Sequence, residues 1–255
     1  MEKQGVERRR AALVTGASTG IGAAIALALA RDGFDVAVAA TRAANVSGTV
    51  AALAPTGARA VPVALDLRSQ SSMERALAEV TGAFGRLDVL VNNAGVTLRQ
   101  PALDVSRAEW DEVIGVNLTG TFFLSQQMGR YLTGARRPGC IVSIASTHGK
   151  LPYPQRSAYA IAKAGIIQMT RMLALEWAEH GIRVNAVAPG TVETPSRAEY
   201  FAADPQAREA MLERIPLRRF GTPEEVAAAV CYLAGPRSEY VTGQTLMLDG
   251  GLTTS

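Results

Sequence analysis

A chain of 255 residues, 48% of them hydrophobic, is long enough for one large α/β domain with an ample core, and a single domain is expected. The formal net charge is +3, and much of the basic excess is local, in Arg8, Arg9, Arg10 and scattered single arginines without interleaved aromatics, so nucleic-acid binding has little support beyond a basic pI. Cys140 and Cys231 lie far apart with no CxxC spacing and no neighbouring histidine, which argues against a disulfide framework or metal site and fits a reducing cytoplasm.

Residues 1–10 read as a mobile N-terminal extension ahead of a domain spanning 11–255. The run RRRAALVTGASTGIGAAIALALA has the outline of a secretory signal, which remains the lesser alternative. Gly16, Gly20 and Gly22 would weaken a membrane helix and Arg31-Asp32 ends the run, so strand, loop and helix is the preferred reading, with no membrane partner.

From Ala11 onward, short apolar runs alternate with longer helical stretches. Strands are expected at 11–15, 35–40, 60–65, 87–91, 140–144, 183–188 and 245–249. Most are apolar on both faces, as in a parallel sheet covered by helices on each side. Helices are expected at roughly 20–31, 43–54, 70–84, 106–133, 157–180 and 222–235. The charged, aromatic stretch at 195–220 breaks this rhythm after a strand, where a substrate lid would sit.

Thr15 to Gly22, TGASTGIG, joins the first strand to an alanine-rich helix. Its glycines permit a tight turn and close backbone approach to a ligand, and the free N–H groups at the helix start favour an anion such as a pyrophosphate. The spacing differs from the commoner G-x-G-x-x-G, and a purely structural turn is the alternative. Further along, Ser146 closes the apolar run CIVSIAS and places a hydroxyl at a strand's carboxyl end. Tyr159 and Lys163, four apart in SAYAIAKAG, share one face of a helix. By itself such a pair is more often a packed ring beside a solvated amine.

Taken in order, TGxxxGxG, Asn92-Asn93-Ala94-Gly95, the strand-end Ser146 and Tyr159-x-x-x-Lys163 make the chain resemble the short-chain dehydrogenase/reductase family over 11–252. The resemblance implies a single-domain Rossmann fold, a seven-stranded parallel sheet flanked by helices on both faces, with cofactor and substrate at the carboxyl ends of the strands. It implies an NAD(P)(H)-dependent oxidoreductase interconverting a ketone and a secondary alcohol, with Asn117, Ser146, Tyr159 and Lys163 as the catalytic set. A carbonyl accepting hydride needs a positioned proton donor and a second hydrogen bond to its oxygen, and Tyr159 and Ser146 supply these. The Lys163 ammonium would favour the ionised phenol and, by resemblance, bond the nicotinamide ribose. Asn117, in VNLTGTFF, would by resemblance hold a water linking the lysine to solvent; otherwise it kinks its helix or bonds a backbone carbonyl.

The cofactor residues implied are Gly16, Ser18, Thr19, Gly20, Ile21 and Gly22 in the loop, and Thr41 and Arg42 after the second strand. Asp66 and Leu67 follow the third strand, Asp66 bonding the adenine or else capping a turn, and Asn93, Ala94 and Gly95 follow the fourth. Tyr159 and Lys163 join them, with Pro189, Gly190, Val192 and Thr194 toward the nicotinamide carboxamide. The second strand ends Val38-Ala39-Ala40, with no acid for a ribose 2′-hydroxyl, and Arg42 is the candidate 2′-phosphate ligand. NADP(H) is therefore favoured over NAD(H), although Ser18 and Thr19 stand where NADP users often carry a second basic residue.

Substrate contacts are sought in Ser146, His148, Tyr153, Tyr159, Arg197 and Tyr200, with Thr97, Arg156 and Phe201 in the same loops. His148 is either a polar contact or simply exposed; Arg156 and Arg197 suit an acidic or phosphorylated group or are solvated charges. The activity expected is that of a 3-oxoacyl-thioester or small-ketone reductase, the alternative an NAD-dependent sugar or polyol dehydrogenase, and more distantly a non-catalytic dinucleotide sensor. By resemblance the chain forms a homotetramer or homodimer through the helices at 106–133 and 157–180 and the last strand. Ile161, Ile166, Ile167, Met169, Met172, Leu173 and Trp177 give the second of these helices surplus apolar surface for such an interface.

Overall fold

Runs apolar on both faces become strands, and the central ones are buried on both faces. The computed structural model describes residues 9–254, and in it β1 (Arg10–Thr15), β2 (Phe34–Ala40), β3 (Ala60–Ala64), β4 (Val89–Asn92), β5 (Gly139–Ile144), β6 (Ile182–Pro189) and β7 (Thr245–Leu248) form one sheet. Its order is β3-β2-β1-β4-β5-β6-β7, and every pairing is parallel. The chain winds outward from β1 to β3, then returns across β1 to begin β4. This reversal opens a crevice at the carboxyl ends of β1 and β4. Register pairs such as Thr15 with Ala39, Asn92 with Ser143 and Ile144 with Val187 end the central strands near one level, so the loops that follow share one rim.

Alternate residues of each strand feed two cores. Ala11 and Leu13 face α3 (Gln70–Phe84), α5 (Thr121–Gly134) and α6 (Ser157–Trp177), packing with Met73, Val80, Leu124, Met128, Ile166 and Leu173. Ala12 and Val14 face α1 (Gly20–Arg31), α2 (Ser47–Leu53) and α9 (Pro223–Ala234), packing with Ile25, Leu29, Leu53, Val226 and Val230. The helix α9 starts at a capping box in which Thr222 and Glu225 satisfy each other's backbone N–H groups, with Pro223 in its first turn.

The structure refines several sequence expectations. Residues 1–8 of the expected extension lie outside the described residues, but Arg9 and Arg10 belong to the domain. Arg9 donates to the Gly33 and Ala30 carbonyls, and Arg10 opens β1, donates to the Ala234 carbonyl and lies 4.7 Å from the Phe34 ring centre. The single helix expected over 106–133 is instead α4 (Arg107–Ile114), a π-helical turn (Gly115–Gly120) and α5. A methyl on Gly120 would lie 2.4 Å from the Leu67 carbonyl, so this turn is pressed against the loop after β3. The stretch at 195–220 contains α7 (Pro195–Ala203) and α8 (Pro205–Glu213), held by a satellite cluster of Phe201, Ile215, Phe220 and Leu252. No described helix is long and apolar enough to cross a membrane.

The strand expected from 87 begins only at Val89, because Asp88 is a polar anchor beneath the sheet. Its buried carboxylate accepts from the Ala11 N–H at 2.8 Å and from the Arg86 guanidinium at 2.7 Å through both oxygens. Asp88→Ala leaves that N–H and guanidinium without their acceptor and is expected to cost about 2–3 kcal/mol, read as a lower urea midpoint with unchanged slope.

Candidate active site

The loops after β1 and β4 approach each other closely. Thr15 Oγ1 accepts from the backbone N–H groups of Asn93 and Ala94, both at 3.0 Å, while Asn93 Nδ2 donates to the Thr15 and Gly16 carbonyls at 2.9 and 3.0 Å. Gly16 adopts φ 63° there, and a Cβ on it would stand 2.7 Å from the Ala94 Cα. A Cβ on Gly22 would meet the Gly16 carbonyl oxygen at 2.2 Å, which explains the last glycine of the loop. At the N-cap of α1, Thr19 is extended but its side chain makes no capping hydrogen bond, and no acid occupies the first turn. The helix start therefore presents N–H groups to an anion, as a pyrophosphate requires.

Beside this loop a cavity of about 340 Å³ is lined by Thr15, Gly16, Ser18, Thr41, Asp66, Leu67, Asn93, Ala94 and Gly95 among others. The residues present thus fit a dinucleotide. Arg42, next to Thr41, is exposed and has no acid partner among the described residues, while Asn45, absent from the sequence reading, lines the cavity. Arg68 is a second residue missed there. Its guanidinium holds the Asp66 carboxylate at 2.9–3.0 Å and reaches Glu112 at 3.0 Å, keeping Asp66 below the usual carboxylate range. The residue expected to address the adenine is therefore already engaged; the basic residue two positions on, in Asp66-Leu67-Arg68, was the available signal.

The catalytic candidates converge at the carboxyl ends of β4 and β5. Ser146 is extended, accepts the His148 N–H at 3.2 Å and lines one cavity with Tyr159 in the first turn of α6. One turn on, Lys163 is buried, donates to the Ile144 carbonyl at 2.6 Å and lies 5.7 Å from the Tyr159 ring centre. Asn117 sits in the π-helical turn, fully buried, with Oδ1 accepting from the Val96 N–H and Nδ2 donating to the Val96 carbonyl, both at 2.8 Å. Its side chain is committed to that clasp. Gly95 lies between: a Cβ there would stand 2.9 Å from Asn117 Oδ1 and 3.8 Å from Lys163 Nζ.

The electrostatics differ from the sequence expectation. Lys163 is expected from the sequence to ease ionisation of the phenol, yet burial pushes the Tyr159 pKa up, opposed by the neighbouring Ser146 side chain and the charges of Arg156 and Arg197. Burial also holds Lys163 down, at about 8, because its ammonium has left water for a single carbonyl.

A second cavity, of about 530 Å³, joins Ser146 and Tyr159 to Ile21, Pro189, Gly190, Val192, Thr194, Arg197 and Tyr200. Thr194 lies within 3.4 Å of where a Cβ on Gly20 would be, so the segment after β6 faces the glycine loop. Thr97, Tyr153 and His148 line a smaller inner chamber continuing past Ser146, together with Arg156 and Arg214. His148 is packed between Tyr153 and Tyr159, at 5.5 and 6.1 Å between ring centres. Its pKa is lowered to about 4 by burial and by Arg156, Arg197 and Arg214, so it is a neutral group at neutral pH. Phe201 turns away into the satellite cluster and stacks on Phe220 at 5.0 Å.

Since Lys163 is depressed from 10.5 to about 8, the unfolded chain binds more protons than the folded one between those values, and this residue's contribution to stability rises with pH across that window. Relative to Lys163→Met, the wild type is expected to gain on the order of 2–3 kcal/mol between about pH 8 and 10.5, read from urea denaturation of the two proteins at each end.

A family model described as enoyl-(acyl carrier protein) reductase matches residues 16–253. A 3β-hydroxysteroid dehydrogenase of Eggerthella lenta is 41% identical over 94% of this chain and 92% of its own. A 3-oxoacyl-[acyl-carrier-protein] reductase of Thermotoga maritima is 40% identical, covering 94% and 96%. The structure of a protein from Agrobacterium tumefaciens, provisionally described as a 2-deoxy-D-gluconate 3-dehydrogenase and solved with bound NADP, superposes with a TM-score of 0.90 at 39% identity over 96% of this chain and 97% of that one. With its seven-stranded parallel sheet, this chain belongs to the short-chain dehydrogenase/reductase family and is an oxidoreductase acting on CH–OH groups with a nicotinamide dinucleotide.

Proposed function

We propose that this protein interconverts a ketone and a secondary alcohol with NADP(H) favoured over NAD(H), acting as a small-ketone or 3-oxoacyl-thioester reductase. The observation that carries the reading is the convergence of Ser146 and Tyr159 on one cavity that continues to the glycine loop and the segment after β6. When bound, the nicotinamide supplies or takes up the hydride. Gly16 and the N–H groups of Gly20, Ile21 and Gly22 would hold its pyrophosphate, and Lys163 its ribose.

The chain's own work is to hold and protonate the carbonyl oxygen. Ser146 and Tyr159 bring two hydroxyls to one point, and the raised pKa keeps the phenol protonated at neutral pH, as a proton donor must be. The charge left on the phenolate is met by Arg156 and Arg197, whose fields oppose the effect of burial, and by the nearby Lys163. In reverse the phenol must first lose its proton, so alcohol oxidation is favoured by higher pH. Asn117, by clasping Val96, holds the loop after β4 against the lysine.

The NADP preference is supported by the absence of an acid at the end of β2, by the uncommitted Arg42 with Asn45 beside it, and by the NADP bound to the Agrobacterium protein. Neutral His148 in the inner chamber favours a second reading, a sugar or polyol dehydrogenase using NAD, since it offers a polar contact to hydroxyl groups. We assign α7 and α8 as the substrate lid on the strength of Arg197, Tyr200, Met211 and Arg214, which line the two chambers. The free Cys140 and Cys231 suit the cytoplasm. Exposed Ile161, Met172 and Leu175 on α6 suit a homodimer or homotetramer.

Tyr159→Phe is expected to lower kcat for ketone reduction by about 10²–10⁴-fold while leaving NADPH binding, followed by its fluorescence, within about twofold. Equal failure of wild type and variant across a broad carbonyl and alcohol panel, with NADPH still bound, sinks the enzyme assignment. Arg42→Ala is expected to raise the NADPH KM about tenfold, a loss of about 1.4 kcal/mol, and to leave that of NADH unchanged; an unaltered NADPH KM reverses the cofactor preference.

A further inference from the structure

Resting on the carbonyl-reductase reading, we propose that the chamber beyond Ser146 and Tyr159 is an anion subsite, and that the substrate carries its own carboxylate or phosphate, bound by Arg156 with Arg197 and Arg214. Between them the two connected chambers are lined by Arg99, Arg156, Arg197 and Arg214, and by no Asp or Glu among the described residues. Some arginines elsewhere have acids, Arg68 with Asp66 and Glu112, Arg86 with Asp88, Arg107 with Asp111 and Arg219 with Glu225, whereas here four meet with none. Glu199, Glu209 and Glu213 on α7 and α8 are exposed and line neither chamber.

Arg156 is the centre of this site. It is half-buried just ahead of α6, its NH1 donates to the Leu98 carbonyl at 3.2 Å, and its Nε is fully buried without a hydrogen-bond partner. The Arg156 guanidinium lines both chambers without an acid partner among the described residues, so it is placed to take an acceptor brought by the ligand. The surrounding cations are positioned by aromatic faces, which hold them without neutralising them. Arg197 lies 5.6 Å and Arg99 5.4 Å from the Tyr200 ring centre, and Arg214 lies 5.2 Å from that of Tyr153. Their mutual repulsion is visible in Arg156, whose pKa is pulled down by burial and by Arg197 and Arg99. Two oxygens of one carboxylate or phosphate match a guanidinium fork and relieve that repulsion.

Size narrows the class. The inner chamber is about 80 Å³, whereas a cavity of about 150 Å³ is what accepts benzene. It takes a compact anionic head and excludes a ring system, so the part of the substrate that enters it is a short carboxylate- or phosphate-bearing end, as in an oxo-acid or a phosphorylated ketone and its alcohol.

The test uses the wild-type enzyme with NADPH and matched substrate pairs, 4-oxopentanoate against its methyl ester and dihydroxyacetone phosphate against dihydroxyacetone. The anionic member of at least one pair is expected to have a kcat/KM at least 30-fold higher, and the pair that shows it distinguishes carboxylate from phosphate. Arg156→Gln is expected to raise KM for that anion by 10-fold or more and to bring the anion-to-neutral kcat/KM ratio to within about threefold, a ratio in which any common loss at the phenol cancels; Arg156→Lys restores part of the preference, which separates charge recognition from misfolding. Neutral members turned over as well as anionic ones overturn the subsite and leave the reductase reading standing, as does a preference that survives both Arg156→Gln and Arg197→Gln. Failure to reduce any of the four, or any carbonyl in the broader panel, overturns both readings.

Discussion

The architecture depends on the close approach of two backbone segments across the point where the strand order reverses. Thr15 and Asn93 exchange hydrogen bonds between side chain and main chain, and this brings the loop after β1 within 3 Å of the space above the loop after β4. Side chains cannot be accommodated at that distance, so Gly16 and Gly22 are dictated by sterics. Once the clamp is set, the N-terminus of α1 opens onto the crevice, and the loops after β4, β5 and β6 arrive at the same rim because a parallel sheet aligns its carboxyl ends.

A second constraint is burial of charge. Lys163 lies inside the protein with one carbonyl as its hydrogen-bond acceptor, and Tyr159 is half-buried beside it among protein atoms, so each group is driven toward its neutral form. The two opposite-charge forms are thus held in reserve. The neutral phenol is ready to give its proton, and the cationic groups around it stabilise the charge it leaves. Asn117 contributes through geometry: the π-helical turn carries its amide to Val96, and the lysine, the asparagine and Gly95 pack so closely that a methyl group at Gly95 would not fit.

The substrate end of the site is built differently from the cofactor end. Backbone and glycine shape the first, whereas long cationic and aromatic side chains from four separate segments shape the second. Arg156 comes from the segment before α6, Arg99 from the loop after β4, Arg197 from α7 and Arg214 from the end of α8. Such a site can change its ligand by exchange of single side chains while the hydride-transfer machinery stays in place, which is consistent with steroid and acyl-carrier substrates in the names of relatives about 40% identical.

The sequence by itself determined the strands, the burial of the central ones on both faces and most helices, because those follow from local hydrophobic period. It also determined the order of glycine loop, Asn93-Ala94-Gly95, Ser146, Tyr159 and Lys163, whose spacing reflects one sheet with one active rim. Local pattern carried no sign that the helix over 106–133 would pass through a π-helical turn, since that turn answers to Leu67 packing against Gly120. Nor could it tell that Asp66 would be held by Arg68 or that burial would outweigh Lys163 at the phenol. Only the tertiary structure decided which of the scattered arginines meet. An arginine's role is set by whether an acid lies within reach, and reach is a property of distance in space, which for Arg99, Arg156, Arg197 and Arg214 bears no relation to their separation along the chain.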